Sequence, residues 1–329
     1  MGKVAEFVWR RGLSRRRGPA VTAFVRRHRL APYLLLAPAL AGIAVVLLWP
    51  LAQVVVYSFQ NYGLPQITGT EPTQWVGLGN FTTTFADSEF WLSLRITVLF
   101  AAVVVPLTLL AGTLVGLLLN RLGKKMSAFV STAALLAWAT PPVSASVLFY
   151  WLFSPDGGLV DWTLGKLPHW LVGSTDWAGF NWATSGALSA YTVLTILVIW
   201  QSFPFIAVSV LAGLKTVPAE LYEAARVDGA SARRMFWKIT YPLLKPIFLV
   251  LLLLSVIWDF NVFTQTYILT GFPGNRDEFN LSLYIYDKAF AGFPPNYSLG
   301  GALALIFTLI LLVVTVGYVR ASVRQGALT

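Results

Sequence analysis

"YEAARVDGASARRMFWKITYPLLKP", residues 222–246, is the longest polar interruption in the second half of a chain that is 57% hydrophobic. It separates two apolar runs, and its role depends on which side of a membrane it faces. Pro218 suits the first turn of a helix, where its missing N–H costs nothing. From there "PAELYEAARVD" reads as about three helical turns, roughly 16 Å long. Gly229 ends that helix at a place suited to left-handed backbone. Ser231 is placed to cap a second short helix, "ARRMFWKI", whose Ala232, Met235, Phe236 and Ile239 share one face. Pro242 and Pro246 are expected to stop it and open the next membrane span. The stretch is thus read as two short helices folded at a glycine across the mouth of a bundle.

The rest of the chain supplies that bundle. With 329 residues, 12% of them charged, and a mean hydropathy of +0.68, it reads as an integral membrane protein. Six runs are long enough to cross about 30 Å of hydrocarbon as helices: 30–57, 91–119, 127–153, 186–214, 247–270 and 299–319. Alternating short strand patterns are missing, so the expected class is all-α with six transmembrane helices. The first run carries Pro32, Pro38 and Pro50, is too long for a signal-peptide core, and is read as retained. Cysteine is absent, which excludes disulfides and thiolate metal sites. Gly112 and Gly116 form a small-xxx-small pair for close helix approach, read as packing within this chain. Pro106, Pro141, Pro142 and Pro204 fall inside spans and are expected to kink them or free carbonyls.

The net charge of +10 is unevenly spread. Residues 1–29 are rich in Arg, with Glu6 the single acid, and form a basic tail expected to be disordered. Arg121, Lys124 and Lys125 follow the second run; Lys215, Arg226, Arg233, Arg234, Lys238 and Lys245 cluster in 215–246; Arg320 and Arg324 close the chain. The other connections hold only Lys166, Arg276 and Lys288. This is the positive-inside pattern for six helices with both termini cytoplasmic. The tail sets orientation and touches anionic membrane lipid; no nucleic-acid partner is implied. The organisation is a tail 1–29, a six-helix transmembrane domain 30–320 with its cytoplasmic loop 215–246, and a tail 321–329. Residues 222–246 therefore face the cytoplasm.

Ala224 and Ala225 are small where the first short helix should meet something, and Glu223 puts a carboxylate beside them. Such a face fits a groove on another protein, where an Arg would answer the acid; an amphipathic loop lying on the membrane or on its own bundle reads equally well. In the fifth run, Trp258, Asn261 and Gln265 fall at i, i+3 and i+7, one helical face offering an aromatic ring and two amides that could line a cavity. Asp259 is expensive in a span and faces an interior or a wet cavity, as an interhelical clamp or as lining. Trp200, Gln201 and Ser202, just before Pro204, are similar candidates in the fourth run.

Glu223-Ala224-Ala225, then Gly229, Ile239 and Pro242 at fixed spacing, resembles the EAA loop of ABC-importer permeases, the membrane subunits of binding-protein-dependent uptake systems. Asp228 and Pro218 match the carbohydrate-uptake branch, as do "WVGLGNF", "WLFSPDGGLVDW" and "YIYDKAFAG" followed by "YSLGGALAL". Tyr241, Ile96 and Phe272 depart from the pattern, the last in the outer segment 269–275. The resemblance implies the type I ABC importer permease fold. It implies that Glu223, Ala224, Ala225, Asp228, Gly229 and Pro242 build a coupling helix docked on a separate ATPase. It also implies a second homologous permease, two ATP-binding subunits and an extracytoplasmic sugar-binding protein as partners.

No cofactor is expected in this chain, since ATP and Mg belong to the partner ATPases. "LGKK" at 122–125 lacks the Gly and the Ser or Thr of a phosphate-cradling loop. His28 and His169 fall on opposite sides of the membrane, so no metal cluster and no nucleophile–His–acid set is available, and an enzyme is not expected. A stand-alone secondary transporter, or a permease for a glycerol-phosphate-type ligand, are the alternatives.

Overall fold

The computed structural model describes residues 31–324, apart from Ser174, Ala178 and Pro273. The tail 1–29 and the last five residues lie outside the described residues. The chain divides into two units, Met1–Val56 and Tyr57–Thr329. In the first, α1 (Ala31–Ile43) contains Pro38 and passes through a π-helical turn, Ala44–Leu48, into α2 (Trp49–Ser58). Together they supply an apolar span, Leu35–Ser58, with a mean hydropathy of 2.3.

The second unit is a helical bundle. Its main helices are α3 (Ser88–Arg121), α4 (Lys124–Trp138), α5 (Pro142–Leu152), α6 (Ala187–Leu214), α7 (Ala219–Val227) and α8 (Ala232–Met235). They are followed by α9 (Tyr241–Phe260), α10 (Thr264–Leu269), α11 (Leu281–Tyr286) and α12 (Tyr297–Arg324). Outside the spans, β1 (Gln60–Asn61) pairs antiparallel with β2 (Gln74–Trp75), a two-residue clip far too short for a barrel. Among the described residues five helices are long and apolar enough to cross a membrane, and a sixth span results if the bent pair α4–α5 counts as one.

Helices α3 and α6 form the spine. A Cβ on Gly112 would stand 2.6 Å from Ile206 Cβ, and one on Gly116 would stand 2.8 Å from the Ala207 carbonyl oxygen. The small pair therefore brings α3 against α6 within this chain, as expected. Packing drives this association, because lipid tails compete evenly with apolar side chains. Phe100, Val104, Val193, Leu194 and Leu197 continue the contact as a buried cluster.

Two spans are broken. Pro141 and Pro142 remove two donors and push the preceding residue out of the helical region, and α4 and α5 meet at 92°. Pro106 and Pro204 stand inside helices that continue through them. The second break, after Phe260, has no proline or glycine to announce it: Asn261 leaves helical geometry at φ −105°, ψ 35°, and α10 starts again at Thr264. The expected continuous run 247–270 is thereby corrected. Polar groups near the break are met from elsewhere, as an apolar setting requires. The Val262 carbonyl accepts from Asn280 Nδ2 at 2.7 Å and from Thr266 Oγ1 at 2.7 Å. Asn280 also caps α11, accepting from the Leu283 N–H, while the Leu281 N–H donates to Thr97 Oγ1 on α3.

Candidate functional site

Three arrangements carry the chemistry. At one end of the bundle, α7 and α8 meet at Gly229, whose φ is +71° and where an added Cβ would meet nothing within 4 Å. The Ala230 N–H returns to the Ala225 carbonyl and the Gly229 N–H to that of Arg226, so the left-handed residue ends α7 by satisfying its last carbonyls. Pro218 is the residue before α7 rather than its first turn, and Ser231 Oγ accepts from the Arg234 N–H as expected of a cap. Pro242 and Pro246 do not stop the second helix. A π-helical turn, Phe236–Thr240, carries α8 directly into α9, so Ala232–Phe260 is one helical path from the loop into the membrane. Pro242 sits in the first turn of α9, where it needs no donor.

The two faces of α7 differ. Glu223, Ala224 and Val227 are exposed, with Asp228 and Gly229 exposed at its end, and Val227 is 89% accessible. Tyr222 points the other way, its hydroxyl 2.9 Å from Thr240 Oγ1. Ala225 is half-buried and Pro242 exposed.

The second arrangement lies at the two span breaks. Gln201 Nε2 donates to the Thr140 carbonyl at 3.0 Å, beside Pro141, and Gln201 Oε1 accepts from Gln265 Nε2 at 3.2 Å. One amide chain thus joins the third, fourth and fifth spans where two of them are broken. The expected single face of Trp258, Asn261 and Gln265 does not exist, because the helix ends between them. Trp258 packs edge-on against Phe205, with ring centres 5.4 Å apart. Asn261 is exposed at the break, and Trp200 lies against Phe149 while Ser202 is half-buried. Asp259 is buried, and its Oδ2 has no hydrogen-bond partner.

The third arrangement, missed in the sequence, is a charged clasp at the opposite end. Asp87 caps α3, accepting from the Glu89 N–H, and receives the Tyr284 hydroxyl at 2.7 Å. Lys288 Nζ lies 3.0 Å from both Asp87 and Glu89, and Arg276 bridges Glu89 and Asp287. Lys288 and Arg276 are two of the few cations in the connections that the charge pattern leaves sparse; that was the available signal. Burial alone would raise the Asp87 carboxyl, but hydrogen bonds from Tyr284, the Glu89 N–H and Lys288 outweigh it and hold it below its ordinary 3.8. Burial alone would lower Lys288, yet Glu89 and Asp87 hold it above 10.5. The depressed carboxyl stabilises above its ordinary value and fails as pH falls through its folded value. The raised amine stabilises below its ordinary value and fails as pH rises through its folded value. The contributions of Asp87 and Lys288 are therefore both present between their ordinary values, 3.8 and 10.5, and decline outside them. Lys288→Met, which leaves the acids facing one another, is expected to cost on the order of 1.5–3 kcal/mol. Thermal unfolding at neutral pH checks it, with no change as the contrary result.

Residues 108–325 match the family described as "Binding-protein-dependent transport system inner membrane component". The chain is 38% identical over 308 residues to the diacetylchitobiose uptake system permease protein DasB of Streptomyces coelicolor, covering 94% of this chain and 91% of that one. It is 34% identical to the sulfoquinovosyl glycerol transport system permease protein SmoG of Agrobacterium fabrum, covering 89% and 90%. A chain in the crystal structure of a bacterial alginate ABC transporter, in complex with alginate pentasaccharide-bound periplasmic protein, superposes with a TM-score of 0.75. That likeness, at 22% identity over 92% of this chain and 97% of the other, establishes the type I importer permease fold. The chain belongs to the family of binding-protein-dependent transport system inner membrane components. It is thus a multi-pass membrane component of an ABC system that works with a binding protein, and its relatives are permeases rather than enzymes.

Proposed function

We propose that this chain is one of two homologous permeases in a bacterial plasma-membrane ABC importer for a mono- or oligosaccharide, with both termini cytoplasmic. The reading is carried by the loop at Gly229, whose left-handed turn presents Glu223, Ala224 and Val227 outward at the end of a helical path into the fifth span. The sugars named for its relatives support the substrate class. Two ATP-binding subunits, which hold ATP and Mg, dock on this loop and on its counterpart. Their closure moves α7, and α8–α9 passes that movement into the membrane. A tagged chain is expected to co-purify with an ATP-binding subunit and a second permease from native membranes. Isolation as a lone, transport-competent chain would establish the secondary transporter instead.

The pathway is proposed to run past the broken spans, with Gln201 and Gln265 as polar lining, Trp200, Ser202, Trp258 and Asn261 beside them, and Asp259 behind. Gln201→Ala with Gln265→Ala is expected to lower sugar uptake at least about tenfold, as when a site loses hydrogen-bonding groups, while the complex still assembles. Uptake at the wild-type rate removes these amides from the pathway. Orientation is checked by a cysteine placed at Thr175, which should react with an impermeant thiol reagent only from outside the cell.

A further inference from the structure

Between the loop and the bundle lies a cavity of about 410 Å³, walled by Asn120 and Arg121 at the end of α3, Tyr222 and Arg226 on α7, and Met235 and Phe236 beyond Gly229. Its volume falls in the roughly 300–1,000 Å³ range of small-ligand sites. Arg121 and Arg226 come from distant parts of the chain, and among the described residues neither guanidinium makes an ion pair or a hydrogen bond. Two unpaired cations facing one cavity repel each other, and an anion between them reverses the sign of that interaction. Guanidinium forks match phosphate oxygens, and the Asn120 amide adds a further donor. Leu117, Leu214, Met235 and Phe236 add apolar lining, so the cavity suits an ester with a carbon skeleton better than a bare ion. Tyr222 and Arg226, four residues apart, share one face of α7, with Tyr222 half-buried and Arg226 exposed, while Glu223 and Val227 share the next and are exposed.

We infer that this cavity binds a net-anionic phosphate ester of glycerol, which ties the coupling helix α7 to the end of the second span through Arg226 and Arg121. Its place at the last residue of α3 and its apolar wall favour a phospholipid headgroup over a soluble ester. Binding itself stands independently of the sugar reading; the consequence for ATP hydrolysis rests on it.

The assembled complex is purified and exchanged into nanodiscs of phosphatidylcholine, with or without phosphatidylglycerol. Retained lipid is then counted by native mass spectrometry. Phosphatidylglycerol is expected to survive exchange on the wild type. Each of Arg121→Gln and Arg226→Gln should weaken retention about fivefold, and the pair more than tenfold. The pair Lys124→Gln and Lys125→Gln, which removes the same charge without lining the cavity, should weaken retention clearly less than the arginine pair. Displacement of the lipid by millimolar glycerol 3-phosphate identifies the soluble ester as the competing source of the same chemistry; failure to displace it identifies the lipid. Equal losses in the arginine and lysine pairs mean general surface attraction and overturn the site. Should the arginine pair fail to assemble, wild-type complex that retains neither phosphatidylglycerol nor glycerol 3-phosphate overturns it equally. With retention confirmed, ATP hydrolysis that does not respond to phosphatidylglycerol refutes the coupling role alone.

Discussion

Gly229→Val is expected to separate this permease from its ATPase while leaving the chain in the membrane. The residue has φ +71°, and no atom lies within 4 Å of where a Cβ would stand, so the penalty comes from the backbone and not from a clash. A β-branched residue in left-handed geometry costs roughly 1–2 kcal/mol. That is too little to unfold six spans but enough to favour another angle between α7 and α8. The proposed docking face depends on that angle, since α8 runs on into the fifth span. Gly229→Asn, which tolerates the left-handed region, should retain most binding, and Glu223→Ala should lose on the order of 1.5–3 kcal/mol of contact once the face is covered. The measurement is co-purification of the ATPase with each variant, alongside sugar uptake. Full binding and full uptake by Gly229→Val would show that the loop does not dock.

Gly112→Leu is expected to have the larger structural effect. Its Cβ would stand 2.6 Å from Ile206 Cβ and 3.0 Å from the Phe203 carbonyl oxygen, and a backbone oxygen inside a helix cannot swing away. The α3–α6 spine would have to open by the width of a side chain, exposing the cluster around Val104 and Leu197. Overpacking costs about 1–3 kcal/mol where the surroundings can yield, and more here. The level of folded protein in the membrane should fall severalfold, with Gly116→Leu close behind, because its Cβ would meet the Ala207 carbonyl at 2.8 Å. Gly123→Leu, with nothing within 4 Å, is the matched control and should leave the level unchanged. Equal levels for Gly112→Leu and Gly123→Leu would mean that α3 and α6 do not meet at these glycines.

The two residues behind these predictions differ in how they could be read. Gly229 is announced by the helix that precedes it and the Ser231 cap that follows, all within a few residues. Gly112 and Gly116 announce a close approach but not the helix that makes it. The amide chain from Gln265 through Gln201 to the Thr140 carbonyl joins residues far apart in sequence, and only the folded bundle brings them together.

From its residues alone this chain yields its membrane runs, its uneven charge, the turn at Gly229 and the prolines that break the third span, though not which of its prolines would break a helix. Each of these rests on hydropathy, charge or local backbone chemistry, which act within a turn or a span. The break of the fifth span after Phe260 is different. Nothing between Trp258 and Gln265 forbids a helix, since the stretch holds neither proline nor glycine. Tertiary structure ends it there, because Asn280, eighteen residues on, donates to the Val262 carbonyl, and Thr97 on α3 holds the Leu281 N–H. In an apolar surrounding a backbone group can leave its helix only where another part of the chain meets it, and that meeting is a property of the packed bundle.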